Sequence, residues 1–189
     1  MPKLWHDTIS AHRSAVADAI MDRTAAIAAH EGLTALTMAR IAAETGIGRA
    51  TLYKYFKDVE DILAAWHQRQ ITAHLADLKA IRERVAEPLA ALEAVLLAYL
   101  SHSAHEHHGS LGRLLHAMPH VEAAQVHLSG FVASLIAEAV SAKVLPKGAA
   151  AEERARYVLA ALQAPVTSKA AATRLVRMVL AGLGAAGDA

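Results

Sequence analysis

Cysteine is absent from the 189 residues, which excludes a disulfide scaffold, a thiolate zinc site and a cysteine nucleophile. Aromatic residues make up only 4%, too few to suggest a site that stacks large planar cations. Charge of one sign is lacking too. The 19 Lys and Arg are met by 18 Asp and Glu, a formal charge of +1, so the chain is no uniformly basic nucleic-acid packaging protein, although a local basic face remains open to it. No uninterrupted apolar run approaches the ~18–20 residues of a membrane span. The N-terminal Met1-Pro2-Lys3-Leu4-Trp5-His6-Asp7 shows no apolar stretch followed by a small-residue cleavage site. A soluble, cytoplasmic chain with no membrane partner is therefore the expectation.

Apolar residues make up 54%, enough for a sizeable core and too many for intrinsic disorder. Alanine recurs throughout, proline is confined to five positions and β-branched alternation is missing, which together predict an all-α fold. The breaks at Gly32, Gly46 to Gly48, Pro88, Gly109 to Gly112, Pro119, Pro146 to Gly148 and Pro165 mark helix ends. Between them, helices are predicted near residues 8–30, 37–44, 48–55, 58–85, 88–107, 110–117, 121–142, 150–163 and 168–184. Ile9, Val16, Ile20 and Ile27 form one apolar stripe on the first.

The segment from Leu33 to Lys57 carries the chemistry. Thr37 is suited to capping a short helix, because its hydroxyl accepts from an otherwise unpaired first-turn amide. Ile41 is apolar and Ala42 is small enough for a close helix crossing. Gly46 sits where a tight turn needs a left-handed residue, and Ile47 and Leu52 bury the next short helix against the first. Two short helices, a glycine turn and an apolar lock describe a helix-turn-helix. The second helix begins near Gly48, which puts Arg49, Ala50 and Thr51 in its first turn, the part that enters the major groove in such units. Arg49 has the donor pair for a guanine edge, and Ala50 or the Thr51 methyl matches a thymine methyl. Tyr53, Tyr55 and Lys57 suit phosphates, as do the first amides of a helix starting near Asp58.

Residues 1–66 hold seven cations and eight acids, so this part is not basic overall. Within 40–57, however, Arg40, Arg49, Lys54 and Lys57 face Glu44 alone, a local balance of +3. Attraction to DNA depends on the charges that touch phosphate, so the local figure matters more.

The run Ile41-Ala42-Ala43-Glu44-Thr45-Gly46-Ile47-Gly48-Arg49-Ala50-Thr51-Leu52-Tyr53-Lys54-Tyr55-Phe56, followed by Val59-Glu60-Asp61-Ile62-Leu63, resembles the tetracycline-repressor family of transcriptional regulators. Thr45 stands where that family more often has alanine, and Gly48 where serine or another capping side chain is common. The resemblance covers about residues 8–66. It implies a three-helix DNA-binding head over 1–57 and an effector-binding, dimerising domain over 58–189. It makes Thr37, Arg40, Arg49, Thr51, Tyr53, Tyr55 and Lys57 the DNA-facing residues. Members usually repress, as dimers on a palindromic double-stranded operator, and let go when a small-molecule effector binds.

In the remainder, Ala172, Leu175, Val176, Val179, Leu180 and Leu183 form a broad stripe on the last helix, and Val158, Leu159 and Leu162 line the one before it. Two such helices from each subunit suit a four-helix homodimer seam, and the symmetry of a two-headed reader favours that over each subunit's own core. Histidine is the unusual feature: His102, His105, His107 and His108 crowd seven residues, followed by His116, His120 and His127. On a helix His102, His105 and His108 share a face, the arrangement of a Zn, Ni or Cu site and hence of a metal-responsive regulator. Gly109 and the lack of nearby cysteine weigh against it, and a solvated or pocket-lining cluster, or a proton sensor, fits the same residues. An effector pocket walled by Trp66, Leu97, Leu100, His116, Met118, His120, Phe131 and Leu135 is the expectation, each of them also serving as ordinary core. No cofactor is called for. A His-Glu-x-x-His pair, a glycine-rich phosphate loop and a Gly-x-Ser-x-Gly elbow are all missing, which argues against an enzyme.

Overall fold

The computed structural model describes the backbone of residues 3–106 and 119–185 and the side chains of residues 9–102 and 121–185. Every regular element among them is helical: α1 Lys3–Glu31, a single 3-10 turn Leu33–Ala35, α2 Met38–Thr45, α3 Arg49–Leu52, α4 Val59–Arg84, α5 Pro88–Glu106, α6 Pro119–Ser141, α7 Ala151–Ala161 and α8 Lys169–Gly182. The segment predicted as a helix near 110–117 lies outside the described residues.

The chain divides into two compact units, and the division falls inside α4, between Gln70 and Ile71, rather than at the predicted 57/58 boundary. The first turns of α4 are part of the head, since Ile62 and Leu63 are buried in one cluster with Ile20, Ile27, Ile41 and Leu52, and Trp66 packs on it. At ~25 cal/mol per Å² of apolar surface removed from water, these side chains dominate what holds so small a unit together. Ion pairs tie the same helices at the surface: Arg23 to Glu44 at 2.7 Å, Arg40 to Glu31 at 2.6 Å, and Arg69 to both Asp18 and Asp22. The stripe predicted on α1 runs off this core. Ile20 and Ile27 are buried, but Ile9 is 62% exposed, because the first turns of α1 have no apolar partner among the described residues.

In the second unit Leu92, Val95 and Leu96 of α5 pack with Val132, Leu135 and Ile136 of α6, Val158 of α7 and Val176 and Val179 of α8. Arg82 donates to Glu138 from Nε at 2.9 Å and again from Nη2. The segment Val121–Ser141 is long and apolar enough by mean composition to cross a membrane, although Glu122, Gln125, His127 and Glu138 interrupt its apolar run. Part of its apolar surface is core, from Val132, Ala133, Leu135, Ile136 and Ala139, while Val126 is exposed. The α7 and α8 stripes also turn inward. Val158, Leu162, Val176, Val179, Leu180 and Leu183 are buried in the chain's own core, so they are not the seam between two copies. The outward face carries Tyr157 and Met178 instead.

Candidate nucleic-acid interface

The geometry of residues 37–56 follows from a few local bonds. Thr37, in an extended conformation, caps α2 by accepting from the Arg40 amide at 3.2 Å. Gly46 ends the helix with φ of +71°, and the Ile47 amide reaches back to the Ala42 carbonyl at 3.1 Å while the Gly46 amide bonds the Ala43 carbonyl at 3.2 Å. This is the Schellman arrangement, completed by Ile47 packing on the head core. It reverses the chain within two residues and starts α3 at Arg49. Thr45 bonds its hydroxyl to the Ile41 carbonyl at 2.7 Å, so a threonine is satisfied where an alanine was more expected.

The helix α3 is a single turn, shorter than the predicted 48–55. Beyond Leu52 the amides of Tyr53, Tyr55 and Phe56 still bond back to Arg49 and Leu52, but as successive tight turns. Gly48 caps it with no side-chain bond, as glycine must. Leu52 is fully buried and Phe56 nearly so, which anchors the turn from below. Gly48, Arg49, Ala50, Thr51, Tyr53 and Lys54 are left exposed on the other side. Lys57 is exposed beside Asp58 at 3.8 Å. Tyr55 is partly buried, with the Arg13 guanidinium of α1 lying 5.7 Å from its ring centroid.

Two expected contacts look different in place. Arg40, counted in the local +3 balance, has its guanidinium on Glu31 at 2.6 Å and near Glu44 at 4.0 Å, so its charge is already matched. The first turn of α4 is no ready phosphate site. Asp58 accepts from the Asp61 amide at 2.8 Å, Asp61 accepts from the Lys57 amide at 3.1 Å, and Glu60 adds a third carboxylate. Negative side chains already occupy the positive end of the helix.

The predicted effector walls divide. Leu97, Leu100, Phe131 and Leu135 come together in the core of the second unit, whereas Trp66 packs in the head. His116, Met118 and the side chain of His120 lie outside the described residues. A crevice of about 410 Å³ lies elsewhere, lined by Pro146, Lys147, Arg154, Tyr157 and Gly182 among others. Of the metal trio, His102 stacks its ring on His74 of α4, centroids 4.3 Å apart and planes at 25°, while the side chains of His105 and His108 are outside the described residues. Ligating nitrogens lie in the ring plane, so rings face to face do not aim them at a common ion. Among the described residues no group of three or more His, Asp or Glu is placed to hold a metal.

Two features of the head escaped the sequence reading: the bond from Arg69 to Asp18 and Asp22, and the Arg13–Tyr55 contact. Their members are 42 to 51 residues apart, beyond the reach of any helical period.

Two short helices joined by a left-handed glycine, the second presenting its first turn to solvent, make residues 37–56 a helix-turn-helix of the DNA-binding type. Residues 20–66 match the model of bacterial regulatory proteins, tetR family. A curated HTH-type transcriptional regulator of Staphylococcus aureus is 40% identical over 53 residues, an alignment covering 28% of this chain and 29% of that protein. Solved structures extend the likeness across the fold. A transcriptional regulator of the TetR/AcrR family from Thermobifida fusca superposes with a TM-score of 0.70 at 18% identity, covering 88% of this chain and 97% of that one. The FadR regulator of Bacillus subtilis, solved in complex with stearoyl-CoA, gives 0.66 at 15%, covering 87% and 97%. Over residues 20–66 the N-terminal head is thus similar to the tetR family of bacterial regulatory proteins.

Proposed function

We propose that this chain is a transcriptional regulator, not an enzyme, that grips a palindromic double-stranded operator as a homodimer and releases it when a small-molecule effector occupies the second unit. The observation that carries this is the exposed first turn of α3. A buried Leu52 and a left-handed Gly46 hold Arg49, Ala50 and Thr51 outward on a fixed platform. Arg49 is the base-reading residue, because its paired donors match the guanine edge, while Ala50 and the Thr51 methyl take the thymine methyl. Tyr53, Lys54, Tyr55 and Lys57 hold phosphates and set the register. Thr37 supports this indirectly by capping α2. Arg40 joins it only at the cost of its pair with Glu31.

A second copy supplies the second head, since one turn of helix reads too few base pairs alone. The dimer face of the two C-terminal helices is their outward side, where Tyr157 is 50% and Met178 is 70% exposed. The effector is an apolar small molecule entering beside Leu97, Leu100, Phe131 and Leu135. The stearoyl chain of the stearoyl-CoA solved with Bacillus subtilis FadR supports an apolar portion of such a ligand, by analogy of fold alone. Release requires the effector to prefer the conformation with mis-spaced heads, since equal affinity for both conformations shifts nothing. Selection of duplexes from a random pool tests the whole reading. The expected result is enrichment of inverted repeats with half-sites about one helical turn, roughly 10 base pairs, apart or a multiple of it. A pool with no enriched sequence overturns it.

A further inference from the structure

The head has more acids than bases, yet it does not match them evenly. Arg23 faces Glu44, Arg40 faces Glu31, and Arg69 faces Asp18 and Asp22. Among the described residues, no carboxylate pairs with Arg49 or with Arg13. Arg49 is the base reader of the proposed function. Arg13 lies 36 residues away on α1 and is placed by an aromatic ring instead of an acid, its guanidinium carbon 5.7 Å from the centroid of Tyr55. We infer that Arg13 is a phosphate-contacting residue of the DNA interface, held there by Tyr55; this rests on the DNA-binding reading above.

The chemistry of the contact favours that role over a closed structural one. A guanidinium held near a ring by cation–π attraction gives up none of its N–H donors to a carboxylate, so they can meet two oxygens of one phosphate. A carboxylate partner, as at Arg40, takes up those same donors. The ring also restricts the long arginine side chain before DNA arrives, so less freedom is lost on binding. Position agrees with this. Tyr55 lies between Lys54 and Lys57 in the turns that follow α3, so Arg13 adds a cation where phosphate contacts are already expected. Residues 9–15 of α1 are all exposed, so the helix surface around Arg13 is open to solvent apart from its contact with Tyr55. Once Arg40 is matched by Glu31, Arg13 restores the positive charge of this surface from a helix that the local charge count omitted.

The test is a salt titration of the full chain on a labelled duplex of random sequence, about 30 base pairs long to hold two heads. For Arg13→Ala the expected loss is roughly threefold to tenfold near 0.1 M salt, with the slope of log affinity against log salt shallower by about one per bound head. Arg13→Lys keeps the charge and is expected to keep the slope, while Arg13→Gln, which retains the polar length without charge, is expected to behave like the alanine variant. On a Tyr55→Leu background Arg13→Ala should cost less than on the native chain, since the ring no longer places the guanidinium. An unchanged slope in both Arg13→Ala and Arg13→Gln overturns the assignment, most plainly if the melting temperature falls at the same time, which makes Arg13 a packing residue only. Should the native chain bind no duplex at any salt, the DNA-binding reading goes with it. Loss of base preference in Arg49 variants bears on base reading alone and leaves the Arg13 slope intact.

Discussion

The guanidinium of Arg69 on α4 donates to Asp18 of α1 across 2.7 Å and, from its other terminal nitrogen, to Asp22 one turn further along the same helix. Partial burial pulls that guanidinium down, and the two carboxylates more than offset the effect, holding it above its ordinary value. A cation raised in this way stabilises the folded head at every pH below its unfolded value. Its contribution disappears only as pH climbs through the folded value, so no loss on the arginine side is expected across the neutral range.

Arg69→Ala is therefore expected to lower head stability by about 1–2 kcal/mol. Each exposed pair contributes only a fraction of that, but one guanidinium serves both here and is about a third exposed. Urea denaturation at low and high salt checks this, and the native-to-variant difference should shrink as salt screens the pairs. A difference that does not respond to salt would mean that the arginine stem, packed on α1, supplies the stability.

Gly46→Ala tests the turn. Space is not the obstacle, since a Cβ there meets nothing within 4 Å. The obstacle is φ of +71°, at which an L side chain costs about 1–2 kcal/mol. Gly46→Asn should cost less, because asparagine tolerates the left-handed region. Both variants should lose operator affinity in the same order as they lose stability, measured by denaturation and by anisotropy on a selected duplex.

Arg49→Ala should weaken binding to a selected operator far more than to random duplex, by about 1–3 kcal/mol for one bidentate base contact. Equal weakening on both would reassign Arg49 to phosphate. Tyr53→Phe should weaken both alike. Arg40→Ala should instead lower the melting temperature, because it releases Glu31, with the operator-to-random ratio unchanged.

How much of this was legible beforehand depends on the range of the interaction. The Thr37 cap, the Gly46 turn and the burial of Leu52 are set within a few residues of chain, so spacing and propensity predict them, and most helix positions follow for the same reason. The length of α3 was overestimated because the residues after Leu52 keep backward hydrogen bonds without continuing a regular helix. Charge matching was opaque for a different reason. Whether Arg40 is free depends on Glu31 crossing from α1, and Arg13 meets Tyr55 only through the packing of α1 on the α3–α4 turn. The stripe of Val176, Val179 and Leu183 is expected at a dimer seam but faces inward, and spacing alone does not separate the two, since an apolar stripe looks the same whether its own core or a second copy covers it.

That last ambiguity, once resolved, locates the dimer test on the other side of the same helices. Met178 is 70% exposed on α8, and Tyr157 on α7 sets its hydroxyl against Gly182, where a Cβ would come within 2.6 Å of it. If this face meets a second copy, Met178→Glu places two like charges near the two-fold axis and should convert dimer to monomer in sedimentation velocity. The circular dichroism should stay native, since the side chain packs against nothing in its own core. Operator binding should fall steeply and random-duplex binding only modestly, because the palindrome needs both heads at once. Val176→Glu gives the contrast: burying a charge in the chain's own core should unfold the second unit itself. A Met178→Glu protein that remains dimeric would move the interface off α8.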